Sequence, residues 1–272
     1  MSKIAKALEK AKKLRQSRGT QGQRLGIQAS VEALRLTHHR PEDSRTKAIR
    51  LNNIHLEKHR IFTFLDHALA TDRYNLLCTE ILQKTRAKGH NTIMVTSCVE
   101  GEGKTVTAIN LATSIARKPQ HTALLVDADL RNPKVQQYLG FHTQKGLSHY
   151  LEKDAAIPGL LINPGLPRMS VIAAGQTHLR STEILSSPKM EKLVQEMKSR
   201  YPDRYVIFDC PPILSIADSL VFTRYVDGII LVVEANKTQE KQIRQAVELL
   251  KETPLLGLVM NKSRASFQGY YY

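Results

Sequence analysis

Residues 92–105 read Thr92-Ile93-Met94-Val95-Thr96-Ser97-Cys98-Val99-Glu100-Gly101-Glu102-Gly103-Lys104-Thr105, and this stretch decides the fold class. Its first five residues are β-branched or apolar and predict a short buried strand; the glycine-rich turn that follows ends in the G-K-[ST] of a Walker A phosphate loop. Gly101 and Gly103 permit a tight turn that aims backbone N–H groups inward, and a helix starting near Lys104 adds the positive end of its dipole. Lys104 is expected to neutralise β- and γ-phosphates, and the Thr105 hydroxyl to ligate Mg²⁺. Val99, Glu100, Glu102 and Val106 belong to the same loop and first helical turn, and we count them with Gly101 and Gly103 as nucleotide-contacting positions. Cys98 stands where the usual pattern has its first glycine, so the context of the loop has to carry part of the reading.

Outward from this loop, short β-rich runs alternate with helical ones. Thr92–Thr96, Ala123–Val126, Met169–Ala173, Tyr205–Phe208, Gly228–Val233 and Leu255–Met260 read as strands, and Thr105–Arg117, Pro188–Arg200 and Thr238–Lys251 as helices between them. The helix Ala70–Lys88, with Tyr74, Leu77 and Ile81 on one face, precedes the first strand and stops at Gly89. Strands that are apolar throughout predict a sheet covered on both faces, and β-α alternation predicts parallel strands joined by crossovers. The expected fold is a doubly wound α/β fold, mostly parallel, with ligands at the carboxyl edge of the sheet.

Two further strands run straight into carboxylates: Leu124-Leu125-Val126 into Asp127-Ala128-Asp129-Leu130-Arg131, and Val206-Ile207-Phe208 into Asp209-Cys210-Pro211-Pro212. A single Asp after a strand is most simply a cap or turn residue. Three of them at the sheet edge that carries a phosphate loop need a compensating cation, which Mg²⁺ with its phosphates supplies. Lys104, Asp127, Asp129 and Asp209 are therefore the candidate catalytic set, with Thr105, Asp127 and Asp209 as metal ligands. Asp127 is the candidate to accept or orient an acceptor proton, while Asp129 either assists the metal or orients Arg131. Arg131 and Asn261 complete the nucleotide-contacting positions.

Lys and Arg number 40 against 25 Asp and Glu, a formal charge of +15, and residues 1–60 hold 15 basic and 5 acidic side chains. The excess therefore belongs to an N-terminal arm and is not the footprint of a nucleic-acid-binding fold. Within residues 1–18, Ile4, Leu8, Ala11 and Leu14 recur at helical spacing among seven Lys and Arg, which reads either as a solvated helix or as one that docks to a partner or to anionic lipid. Residues 19–60 read as a linker, residues 61–262 as the P-loop domain and 263–272 as a tail. Cys78, Cys98 and Cys210 show no metal or disulfide spacing, which fits a cytoplasmic protein. No apolar run approaches the ~20 residues needed to cross a bilayer, so neither a span nor export is expected.

The Walker A loop, the D-x-D after the second strand and the D-C-P-P after the fourth resemble those of the bacterial tyrosine kinases of capsule and exopolysaccharide synthesis. The resemblance covers residues 70–272, including Ala174-Gly175, Ser181-Thr182-Glu183-Ile184-Leu185-Ser186-Ser187, Asp218, Asn261-Lys262 and the closing Tyr270-Tyr271-Tyr272. It extends to the opening Met1-Ser2-Lys3-Ile4 and Lys6–Ala11. It implies Mg²⁺ and ATP as cofactor and phosphoryl donor, and Tyr270, Tyr271 and Tyr272 as phosphoacceptors. It also implies self-association, an activating membrane protein of the chain-length-determinant type that brings the chain to the inner face of the membrane, and a cognate tyrosine phosphatase.

One departure stands out. Where the family carries E-x-x-R-x-x-R before the phosphate-loop strand, this chain has Asp72, Asn75 and Cys78, so a looser or partner-driven assembly replaces the ring the family pattern implies. Three rival readings stand beside this one, and two of them differ from it at particular residues. A partition-type ATPase would carry a second lysine near the start of the loop, where Cys98 and Val99 stand. A GTPase would carry N-K-x-D where Asn261-Lys262-Ser263-Arg264 stands. A non-catalytic, ATP-gated regulator of polysaccharide export would use the same nucleotide-binding groups as a kinase.

Overall fold

The computed structural model describes residues 47–65, 68–201 and 203–263. The basic arm at residues 1–18 and the tyrosines at 270–272 lie outside the described residues. The strands are β1 (Lys47–Ala48), β2 (Thr92–Ser97), β3 (Thr122–Asp127), β4 (Ile162–Asn163), β5 (Met169–Ile172), β6 (Arg204–Asp209), β7 (Gly228–Glu234) and β8 (Leu255–Asn261). The helices are α1 (Asn53–Lys58), α2 (Phe62–Leu65), α3 (Ala68–Arg86), α4 (Lys104–Ala116), α5 (Val135–Leu139), α6 (Leu147–Lys153), α7 (Ser181–Leu185), α8 (Pro188–Arg200), α9 (Ala217–Phe222) and α10 (Glu240–Leu249).

The strands form one sheet in the order β1-β4-β5-β3-β6-β2-β7-β8, parallel except where β4 meets β5. Its apolar strands face two ways. Met94, Leu124, Val126, Val206, Phe208 and Leu231 enter the core on one face, whereas Ile93, Val95, Leu125, Ile207, Ile230 and Val232 enter the core on the other. This is why these strands read as continuous apolar runs: each residue is buried whichever way it points. Helix α4 lies on the second face, and all its residues but Val106 are buried. Helix α8 closes the first face with Met190, Leu193, Val194 and Met197, and starts with the Ser187 hydroxyl accepting from the Met190 amide and Pro188 in its first turn.

The six strands read from the sequence are all present, each within a residue or two of its expected bounds, as is α8. Residues 47–60, expected to form part of a linker, are instead built into the domain. Strand β1 pairs with β4, and the Asn52 side chain caps α1 by accepting from the Ile54 and His55 amides. Leu56 is 1% exposed in the core beneath α1. One buried leucine per short helix makes no periodicity, so the segment does not show in the sequence; its order comes from contacts with residues far along the chain.

Candidate nucleotide site

The parallel register brings the carboxylates together before any side chain is considered. Asp127 pairs with Asp209 across β3 and β6, and Asp209 with Val95 across β6 and β2, so both acids end their strands beside the phosphate loop. Beyond the pairing, the Ala128 amide donates to the Asp209 carbonyl (2.9 Å), and the Cys210 amide to the Val95 carbonyl (3.0 Å). Cys98 is fully buried in the core, so the side chain in place of the usual glycine points away from the loop interior.

Lys104, 9% exposed, extends over this edge: its ammonium donates to Asp129 Oδ2 at 2.8 Å and lies 3.6 Å from Asp209 Oδ1. Burial alone would lower its pKa, but the charges of Asp209 and Asp129 outweigh it and hold the ammonium above its usual value. The Thr105 hydroxyl donates to Asp209 Oδ2 at 2.6 Å. Asp127 is fully enclosed: Oδ1 accepts from the Asp129 amide at 3.2 Å and Oδ2 from the Val135 amide at 3.0 Å. Burial first, then the nearby charge of Asp209, pushes Asp127 up to about 8, with Lys104 opposing. Burial likewise raises Asp209.

A cavity of about 170 Å³ opens at this edge, lined by Gly101, Gly103, Lys104, Thr105 and Asp129 among others. It supports the fit of a divalent cation. Asp209 Oδ1 is buried without a hydrogen-bond partner, and the oxygens nearby are hard hydroxyl and carboxylate donors. Mg²⁺ takes only one or two such protein ligands and fills its octahedron with water and phosphate oxygens. Among the described residues no group of three or more His, Cys, Asp or Glu is placed to hold a metal alone.

The other expected residues divide by what they touch. Glu102, 2% exposed, turns away from the cavity: its carboxylate accepts from the Val99 amide at 2.9 Å and from the Thr238 hydroxyl. Its carbonyl accepts from the Asn261 side-chain amide at 2.8 Å. Gly103 has a φ of +97°, a conformation that favours glycine, and a Cβ there would stand 2.0 Å from Asn261 Nδ2 and displace that amide from the Glu102 carbonyl. Lys262 Nζ donates to the Gly101 carbonyl at 2.7 Å and to Glu234 at 2.8 Å. Gly101 and Glu102 are thus each held by residues at the end of β8. Arg131 donates to Asp218 at 3.4 Å, and Asp218 accepts in turn from the Thr182 hydroxyl.

Several lining residues had not been singled out from the sequence. Asn132 donates to Glu100 at 2.7 Å and so joins the phosphate loop to the turn after β3; Lys134 and Tyr138 also line the cavity. Tyr138 is shared with an adjoining cavity of about 650 Å³, which Val106 and Asn261 line together with Lys58, His59 and Arg60. The His59 ring packs on Tyr138 with centroids 5.2 Å apart and stacks on His55 at 4.1 Å. For Lys134 the only sequence signal is a cation five residues after Asp129. For the residues of α1 there is none, because only the fold brings them here. Cys98, pushed up to about 12 by burial and then Glu102, and Cys210, raised by burial, are not reactive thiolates.

A family model described as NUBPL iron-transfer P-loop NTPase, of the ParA type, matches residues 88–269. Tyrosine-protein kinase YwqD of Bacillus subtilis (strain 168) is 34% identical over 209 residues, 75% of this chain and 87% of that protein. The chain belongs to the bacterial tyrosine kinases, within the ParA-type P-loop NTPases. The crystal structure of the VpsO (VC0937) kinase domain superimposes with a TM-score of 0.65 at 29% identity, over 74% of this chain and all of that domain. Succinoglycan biosynthesis transport protein ExoP of Rhizobium meliloti (strain 1021) is 29% identical over 201 residues, 72% of this chain but 25% of that protein. Membership of this P-loop family implies that the chain binds a nucleotide. It also gives meaning to α3: the third position of the family's E-x-x-R-x-x-R is Cys78, fully buried in the core, so it offers no side chain to a neighbouring subunit. No helix among the described residues is long and apolar enough to cross a membrane.

Proposed function

We propose that the chain is a Mg²⁺- and ATP-dependent protein-tyrosine kinase that transfers the γ-phosphoryl group to Tyr270, Tyr271 and Tyr272 and acts in capsule or exopolysaccharide assembly. One observation carries the reading: Lys104, Thr105 and Asp129 line one small cavity at the sheet edge, and Asp209, which accepts from Thr105 and lies 3.6 Å from Lys104, is buried directly behind them with one oxygen lacking a hydrogen bond. The adjoining 650 Å³ cavity, lined by Val106 and Asn261, is of a size to take a nucleoside beside that triphosphate pocket. Bound Mg²⁺ would neutralise charge between the β- and γ-phosphates, held by the Thr105 hydroxyl and Asp209.

In this reading Lys104 exchanges its 2.8 Å bond to Asp129 for the transferring phosphate, where its charge stabilises the loose transition state. Asp129, released by that exchange and lining the cavity, becomes the carboxylate nearest an incoming tyrosine hydroxyl. Asp127, with both oxygens held by backbone amides, keeps the turn after β3 in shape and raises the local demand for a cation. Arg131, held by Asp218 and Thr182, fixes the far side of that turn. The tail begins directly after β8 at the same sheet edge, and the ~30 Å that nine residues can span keeps it near its own or a neighbour's site. Regulation through a membrane protein of the chain-length-determinant type at the cytoplasmic face, self-association, and contact of the basic arm with anionic lipid belong to the same reading, which the polysaccharide-transport name of ExoP supports.

The test is to incubate the purified chain with Mg-ATP and map phosphate by mass spectrometry. Phosphate on Tyr270–Tyr272 is expected, falling at least about 100-fold in Lys104→Met, the scale of removing one essential charge stabiliser. It should also vanish when all three tyrosines become phenylalanine. An unmodified tail together with steady release of free phosphate would overturn transfer to the tail in favour of ATP hydrolysis alone.

A further inference from the structure

The site above occupies the carboxyl edge of the sheet; the amino edge carries a second pair of openings that the kinase reading does not use. A cavity of about 810 Å³ lies between the end of α3 and the turn after α4, walled by Leu82, Ala87 and Pro119 and rimmed by Arg86, Lys118 and His121. A smaller one of about 280 Å³ shares Arg86, Gln120 and His121 with it and adds His90 and a single carboxylate, Asp203. Helix α4 runs from the phosphate cavity to this cleft, so the two lie roughly 20 Å apart, the length of 13 helical residues.

The charge here is only partly offset from within, by Asp203, which acts on His121. Arg86 and Lys118 enter no ion pair among the described residues, and His121 Nδ1 is buried without a hydrogen-bond partner. Burial first, and then Arg86, holds His121 below its usual value, so the permanent positive charge comes from Arg86 and Lys118. Cations near helix ends offset the negative poles of α3 and α4. That effect accounts for their sign but not for a walled cleft between them. The turn is also fixed in place, since Arg168 donates to the Pro119 carbonyl at 2.7 Å.

A rim of arginine and lysine over apolar walls suits a ligand that is both anionic and aromatic. The chain itself contains no strongly acidic run. The tail has no acid at all from Ser263 to Tyr272, but three phosphotyrosines would each add about −1.5 to −2 charges to it. We propose that the cleft bounded by Arg86, Lys118 and His121 docks the phosphorylated C-terminal tail of a second copy of the chain. The tail leaves from β8 at the opposite edge, and its ~30 Å reach is too short to pass around its own domain to this cleft with residues to spare, which favours a neighbour's tail. Docking would draw the product tail out of the catalytic cleft and join modified copies edge to edge. The inference rests on the kinase reading for the source of the phosphate, but the cleft is tested without it.

The full chain with Tyr270, Tyr271 and Tyr272 changed to phenylalanine is titrated, by fluorescence anisotropy at low salt, into a labelled synthetic peptide spanning Ser263–Tyr272 with three phosphotyrosines. Saturable binding is expected, at least 10-fold tighter than that of the unphosphorylated peptide. Arg86→Gln with Lys118→Gln should weaken it at least 10-fold while the unfolding temperature stays put, and saturating Mg-ADP should leave it unchanged. Displacement by Mg-ADP would place the peptide in the catalytic cleft and overturn the proposal. Equal binding of the unphosphorylated peptide, indifference to the double substitution, or equal competition by inorganic phosphate at matched phosphate concentration would overturn it too. Because the peptide is synthetic, failure of tail phosphorylation in the kinase assay leaves this measurement standing, and the reverse also holds.

Discussion

Lys104 illustrates how burial and charge trade off at one residue. An ammonium 9% exposed would lose its proton more readily than in water, yet the two carboxylates within 3.6 Å hold it charged. The reverse happens at Asp127, whose proton the folded protein holds more tightly than the unfolded chain does. The stability this confers is complete below the ordinary aspartate value near 4 and is lost as the pH rises through about 8. The nucleotide-free protein should therefore melt lower at pH 9 than at pH 6, by several degrees. Thermal unfolding of Asp127→Asn across that range should show a flatter profile, and an unchanged slope would refute the assignment. At Thr238 the effect is on geometry. Thr238→Val removes the hydroxyl that holds Glu102, a loss of about 1–2 kcal/mol at a buried carboxylate. Steady-state kinetics should show KM for ATP rising about 5- to 30-fold with kcat within 2-fold, and Thr238→Ser should restore it.

Among the elements, α1 and β1 are those that lie where the sequence reads as a linker. Asn52 caps α1 and Leu56 seats it in the core, and neither side chain lines the nucleotide cavities. Asn52→Ala should cost about 1 kcal/mol and Leu56→Ala about 2–5 kcal/mol in chemical denaturation. No change in either variant would return the segment to the linker that its composition suggests. The strands of the main sheet were legible because each is apolar along its whole length, and α8 because Ser187-Pro188 opens it and a single face carries its apolar residues. Helices α5, α6, α7 and α9 are only five to seven residues long, less than two full turns, which is too short for periodicity to show.

For the molecule as a whole, the compact unit that contains the site begins at Arg45. A chain starting at Arg45 should melt within a few degrees of the full chain and bind nucleotide equally. One starting at Ile61 loses β1, α1 and Leu56, and with them Lys58, His59 and Arg60 from the 650 Å³ cavity, and should melt markedly lower and bind nucleotide more weakly. Calorimetry of the two truncations decides between them.

The order of strand, phosphate loop, strand, D-x-D, strand and D-C-P-P was enough to set the fold and to bring Lys104, Thr105, Asp127, Asp129 and Asp209 to one sheet edge, because local chain geometry forces residues at the ends of parallel strands together. Which atoms face the cavity was decided only in three dimensions. Asp127 and Glu102 are spent on backbone amides and on Thr238, and Asn261 on the loop carbonyl, while Tyr138, Lys134 and His59 arrive from elements the pattern did not reveal. Spacing along a strand fixes where a side chain starts, but its hydrogen bonds depend on partners distant in sequence, and those become neighbours only when the core closes.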